Sequence, residues 1–119
     1  MVQLLIETPL GVSNASAIAQ TDGVDMLAIG ANDLSAELGR PGDFKNPRLH
    51  DCIERVAHVC AQHGKLCVLG GISDLGLLAE LLPLGIAPLI ISGSDIEMLW
   101  SQAKHRNEAL RQWHSELAN

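Results

Sequence analysis

The chain has 119 residues, 47% hydrophobic and 3% aromatic, and its eight Lys and Arg against fourteen Asp and Glu give a formal charge of −6. That size and a mean hydropathy of +0.18 fit one folded domain with an aliphatic core and exclude a disordered chain. The scattered basic residues exclude a phosphate-tracking surface, so nucleic acid is not an expected partner. No apolar run approaches the roughly 20 residues of a spanning helix, and the opening MVQLLIETP has no basic stretch ahead of Glu7, so the expectation is a cytoplasmic protein with no membrane partner.

Val2 to Ile6 reads as a first strand, stopped by Glu7, Thr8 and Pro9. Ser13 or Asn14 is expected to cap a short helix through about Gln20, with Ala15, Ile18 and Ala19 inward, before Thr21, Asp22 and Gly23 turn the chain. Met26 to Gly30 is the second strand. Ala31 to Asn46 carries Gly39, Pro41 and Gly42 and reads as a long connection, functional or mobile. Asn46 and Pro47 suit a helix start, and Leu49, Ile53, Val56, Ala57 and Cys60 recur on one face until Gly64 closes the helix.

Leu66 to Leu69 is the third strand. Ser73 is expected to cap a helix over Asp74 to Leu82 that Pro83 and Gly85 end. Ala87 to Ile91 reads as a fourth strand. Ser92, Gly93, Ser94 and Asp95 lead into a last helix whose broken apolar stripe is Ile96, Leu99, Ala103, Leu110, Trp113 and Leu117. Cys52, Cys60 and Cys67 fit neither a disulfide framework nor a paired zinc motif and read as buried thiols. His50, His58, His63, His105 and His114 have no i, i+4 pairing and read as solvated-face residues.

Four consecutive βα units in a single domain spanning 1–119 predict an α/β fold with a parallel sheet. A closed (β/α)₈ barrel needs twice as many units and about 250 residues. The expectation is therefore a fragment of a barrel or a half that associates with another.

Ligand sites in this architecture form beyond the carboxyl ends of the strands. Glu7 and Asp33 fall there on neighbouring strands, close enough for both to reach one hard cation such as Mg²⁺ or Mn²⁺. The competing reading is that each carboxylate caps the helix after it. Gly30 permits a close backbone approach, and the amides of Asn32 and Asp33 could point at an anion. Gly70 and Gly71 with Ser92, Gly93 and Ser94 stand where many barrels hold a phosphate, or form tight turns with Ser94 or Asp95 as a cap.

The stretch LLIETPLGVSNASAIAQTDGVDMLAIGANDLSAELGRPGDFKNPRL resembles the HpcH/HpaI aldolase family, whose pattern runs ET, a GVD turn, a GPxDLSxxLG strand end, then a Gly and a Pro-started helix. GK before the third strand and LGIAPLIISGSD at the fourth extend the likeness over most of the chain. The resemblance implies units five to eight of a (β/α)₈ TIM barrel, the C-terminal half of a class II, citrate lyase-like pyruvate aldolase. By that likeness Glu7 and Asp33 are the protein ligands of a divalent metal, Mg²⁺ or Mn²⁺ with Co²⁺ as a further candidate. The metal would chelate the keto and carboxylate oxygens of pyruvate and stabilise the enolate as the carbon–carbon bond breaks. The amides of Asn32 and Asp33 would hold the carboxylate.

The implied partners are pyruvate, or another small 2-keto acid, an aldehyde or related acyl substrate, and further copies in a homo-oligomer. Ala31 replaces the usual Pro, and Leu5 stands where several members carry Gln. The family's catalytic His and substrate-binding Arg belong to the N-terminal half, so the chain supplies no catalytic residue of its own and is expected to be inactive alone. The alternatives are an inactive half-barrel that oligomerises and a phosphate- or phosphoenolpyruvate-binding half.

Overall fold

A computed structural model of the protein describes residues 1–90 and 93–117. In chain order the elements are β1 (Gln3–Ile6), α1 (Pro9–Ala19), β2 (Met26–Gly30), α2 (Ala31–Glu37), α3 (Pro47–Gln62), β3 (Leu66–Gly70), α4 (Leu75–Leu81), a 3₁₀ turn (Leu82–Leu84) and α5 (Asp95–Leu117). The three strands form one parallel sheet with β2 in the middle. Ile6 stands opposite Ile29, and Gly30 opposite Gly70.

Strand side chains alternate between faces, and the sheet sorts them accordingly. Ile6, Leu27, Ile29, Cys67 and Leu69 join Val12, Ala15, Leu49, Ile53, Val56 and Cys60 in the main core, beneath α1 and α3. Met26, Ala28 and Val68 point the other way and form a second small cluster. Both faces of β2 are thus apolar, as in a barrel wall.

At α1, α3 and α4 a side chain meets the free amides of the first turn. Asn46 accepts from the Arg48 amide at 3.0 Å with Pro47 next, so α3 begins where its sequence indicates, and its five expected stripe residues are all buried. Gly64 follows with φ +65, the left-handed conformation that ends a helix. The expected cap of α1 at Ser13 or Asn14 is wrong. Thr8 caps it, accepting from the Gly11 amide at 3.0 Å, and Pro9 both stops β1 and occupies the first helical turn, where its missing N–H costs nothing. Likewise Asp74, not Ser73, caps α4 by accepting from the Leu77 amide at 3.0 Å.

Two further expectations are corrected. Ala31–Glu37 is helical, not loop, because Ala31, Leu34 and Ser35 are buried, and that burial outweighs the turn preference of Asn32 and Asp33. The fourth βα unit lacks its strand among the described residues. Ala87 N donates to Cys67 O at 2.8 Å, the first rung of a ladder beside β3. The next donor, Leu89 N, instead turns back around Pro88 to Ala87 O at 2.7 Å, so the ladder does not continue through Leu89. Ile91, the last residue of that expected strand, and Ser92 lie outside the described residues.

α5 runs 23 residues with none buried. Its apolar stripe is exposed, with Leu99 at 73% and Trp113 at 59%, and the molecule is correspondingly long, 66 × 30 × 22 Å. No helix among the described residues is long and apolar enough to cross a membrane.

Candidate active site

Parallel strands place all their carboxyl ends on one rim. Gln3, Leu5 and Glu7 alternate onto the sheet face away from the main core, and with Ala28, Gly30, Val68 and Gly70 they line a cavity of about 220 Å³. Asn32 and Asp33 complete its wall. The three residues expected to form the site, Glu7, Asn32 and Asp33, are therefore brought together.

Glu7 lies across Gly30. A β-carbon on that glycine would stand 2.8 Å from Glu7 Cγ and 2.9 Å from Oε1, closer than real contacts allow, so only glycine leaves the carboxylate this position. Asp33 is the third residue of α2, whose cap position is Gly30 and carries no side-chain cap. The amides of Asn32 and Asp33 belong to that first turn and have no acceptor within the helix.

Thr8 and Gly30 hold the two cap positions, so neither Glu7 nor Asp33 caps the helix beside it. Among the described residues neither carboxylate has a hydrogen-bond or ion-pair partner. Two uncommitted carboxylates on one cavity wall suit a hard cation that takes one or two protein oxygens and completes its shell with water and substrate. Among the described residues no group of three or more His, Cys, Asp and Glu side chains gathers, which does not favour an all-protein zinc cage.

The wall is braced from behind. Asn32 Nδ2 donates to Gly71 O at 3.3 Å, and Gly71, at φ +88, leaves room for that amide, which a β-carbon would meet at 2.8 Å. Ser35, 1% exposed, donates to Asn32 O at 2.8 Å and accepts from the Gly42 amide at 3.0 Å, tying the α2–α3 connection to the helix. Sequence reasoning assigned no role to Ser35 or Gln3. Gln3 could have been found from the two-residue period that links it to Leu5 and Glu7.

A second cavity of about 190 Å³ is lined by Asn32, Gly71, Ile72, Ser73, Gly93, Ser94 and Glu97, joining two of the segments considered for phosphate. Its groups at the start of α5 are already engaged. Ser94 N donates to Glu97 Oε2 at 3.0 Å and Glu97 N to Ser94 Oγ at 3.2 Å, a reciprocal cap for α5. A carboxylate thus occupies the amide that a phosphate would need. Two of the histidines read as solvated are half-buried: His50 Nε2 meets Phe44 O at 2.8 Å, and His63 Nε2, just after α3, meets Ser16 Oγ at 3.2 Å, while His58 is exposed. Neither lines this cavity or the one at Glu7.

Comparison with known proteins gives a consistent result. The model of the family described as HpcH/HpaI aldolase/citrate lyase matches residues 1–78. A 4-hydroxy-4-methyl-2-oxoglutarate aldolase of Hapsidospora irregularis is 39% identical over 79 residues, 66% of this chain and 29% of that protein. A 5-keto-4-deoxy-D-glucarate aldolase of Salmonella paratyphi C is 42% identical over 62 residues, 52% of this chain and 24% of its own length. The crystal structure of the citrate synthase SbnG superposes with a TM-score of 0.81 at 27% identity, over 97% of this chain and 46% of that one. The matches thus span under a third of these curated relatives and about half of the solved structure.

Proposed function

The chain belongs to the HpcH/HpaI aldolase/citrate lyase family, and on that premise we propose that it is the metal-binding half of a class II aldolase or lyase that forms or cleaves a carbon–carbon bond beside a pyruvate enolate. The observation that carries this reading is the pair Glu7 and Asp33, two uncommitted carboxylates on the wall of one cavity at the strand ends. They would hold Mg²⁺, Mn²⁺ or Co²⁺. When bound, the cation supplies Lewis-acid polarisation of the keto oxygen next to the reacting carbon.

The remaining steps fall to groups of the chain. The first-turn amides of Asn32 and Asp33 face a substrate carboxylate with no competing helical acceptor. Gly30 keeps Glu7 low against the sheet so that a planar keto acid can lie above it. Leu5, 61% exposed, gives the cavity an apolar wall in place of a polar contact to substrate. The proton-transferring His and the Arg that grips substrate come from outside this chain, so these residues bind and orient but do not complete turnover. The aldehyde or acyl partner differs among relatives, two named aldolases and a citrate synthase.

The reading includes association. Leu4, Leu5 and Leu66 on the strands and Leu99, Trp100, Leu110 and Trp113 on α5 are exposed, an apolar surface that the other units of a barrel or a second copy would cover. The phosphate-binding alternative is disfavoured by Glu97 at Ser94.

The test is calorimetric titration of the chain with pyruvate, phosphoenolpyruvate and inorganic phosphate, with and without Mn²⁺, alongside an assay of pyruvate release from a 4-hydroxy-2-oxo acid. The expected result is Mn²⁺-dependent pyruvate binding with no release by the chain alone. Binding of phosphate without the cation, and none of pyruvate with it, would overturn the reading.

A further inference from the structure

At the opposite end of β3 from the Glu7 cavity, α3 runs into the sheet through a short turn, and a cysteine stands on each side of it. Cys60 is in the last turn of α3 and Cys67 is the second residue of β3, with Gly64 at φ +65 reversing the chain between them. Both backbones are pinned. Lys65 N donates to Cys60 O at 2.8 Å, and Ala87 N donates to Cys67 O at 2.8 Å.

The two side chains pack in the same core cluster at 1% and 2% exposure, with their thiols beside each other. They are nevertheless not sealed off. Both line a partly open cavity of about 340 Å³ between α3 and residues 85–88, large enough for a small oxidant, and Cys52 does not line it.

We propose that Cys60 and Cys67 are a disulfide-forming pair that a hydroperoxide oxidises inside the folded protein. The cavity delivers the oxidant, and the thiol–thiol contact selects the partner. The two thiols are also inequivalent. The adjacent Cys67 thiol, helped by the Leu27 backbone and opposed by burial, holds Cys60 below the ordinary thiol value, whereas the same contact, then burial and the charge on Cys60, push Cys67 well above it. Cys60 is therefore the attacking sulfur.

Its thiolate attacks the outer peroxide oxygen, the O–O bond breaks, and the leaving alkoxide or hydroxide takes up a proton, leaving a sulfenic acid on Cys60. That removes the charge beside Cys67 that kept its proton in place. The Cys67 sulfur then attacks the Cys60 sulfur, the S–O bond breaks, and hydroxide departs with the Cys67 proton as water. Two thiols and one hydroperoxide become a disulfide, an alcohol or water, and water. Two electrons pass from sulfur to the peroxide oxygen. The product links the end of α3 to β3.

The experiment treats the full chain with hydrogen peroxide, once folded and once in urea, blocks the remaining thiols with iodoacetamide after denaturation, and maps peptides by mass spectrometry. The folded chain is expected to give the Cys60–Cys67 linked peptide with Cys52 alkylated, and urea a mixture of pairings. In Cys60→Ser no linked peptide forms and Cys67 is alkylated, while Cys52→Ser leaves the linkage intact and covers the case in which the first variant does not fold. Alkylation of all three thiols in the folded chain, oxidation ending on Cys52, or the same mixture with and without urea would overturn the proposal.

Discussion

The Glu7 side chain crosses Gly30 at a distance that no other residue permits, 2.8 Å from Cγ to the site of a β-carbon. The glycine is not there for its backbone: φ −82 and ψ 91 are open to alanine. Gly30→Ala is therefore expected to leave the fold intact, displace the carboxylate, and weaken Mn²⁺ binding by about 10- to 100-fold, the usual scale when a ligand loses its supporting contact. Isothermal titration with circular dichroism checks both parts. Unchanged affinity in a folded variant would mean that the position of Glu7 does not matter to the ion.

Ser35 couples α2 to the connection that follows, through Asn32 O and the Gly42 amide. Ser35→Ala leaves both without that partner, and a destabilisation of about 1 to 3 kcal/mol is expected in urea unfolding. Hydrogen exchange should accelerate at the Gly42 amide before it does in α3. Equal protection of that amide in the variant would contradict the bond.

The start of α1 distinguishes two capping assignments. Thr8→Ala should cost about 1 kcal/mol, the usual value of a lost cap, while Asn14→Ala, on an exposed helical position, should stay within about 0.5 kcal/mol. Equal losses would restore the later helix start.

Both tryptophans of the chain, Trp100 and Trp113, lie on exposed positions of α5, so intrinsic tryptophan emission reports that helix alone. If copies associate through this stripe, emission should shift to the blue with rising protein concentration, in step with the mass measured by sedimentation. A mass increase without a shift would place the contact elsewhere.

How much was legible in the sequence depends on what fixes each element. α3 was legible because its cap, its Pro47 and its buried stripe all agree, and β2 because it is apolar on both faces. The rim position of Glu7 and Asp33 followed from strand order alone. α2 was not legible, since Asn32, Asp33 and Ser35 favour turns locally and only the burial of Ala31 and Leu34 makes them helical. No fourth strand forms over 87–90 because, around Pro88, a three-residue turn takes the donor a ladder would need. The apolar residues of α5 are all exposed, and periodicity says nothing of what covers them.

The central claim is that Glu7 and Asp33 hold one ion between them, and the most direct measurement is Mn²⁺ titration of the chain beside Glu7→Gln, Asp33→Asn and the double variant. A shared ion predicts one site in the parent chain, a large loss in each single variant, and a double variant scarcely worse than either. Parent-like affinity in the single variants, or losses that add as for two independent sites, would contradict it.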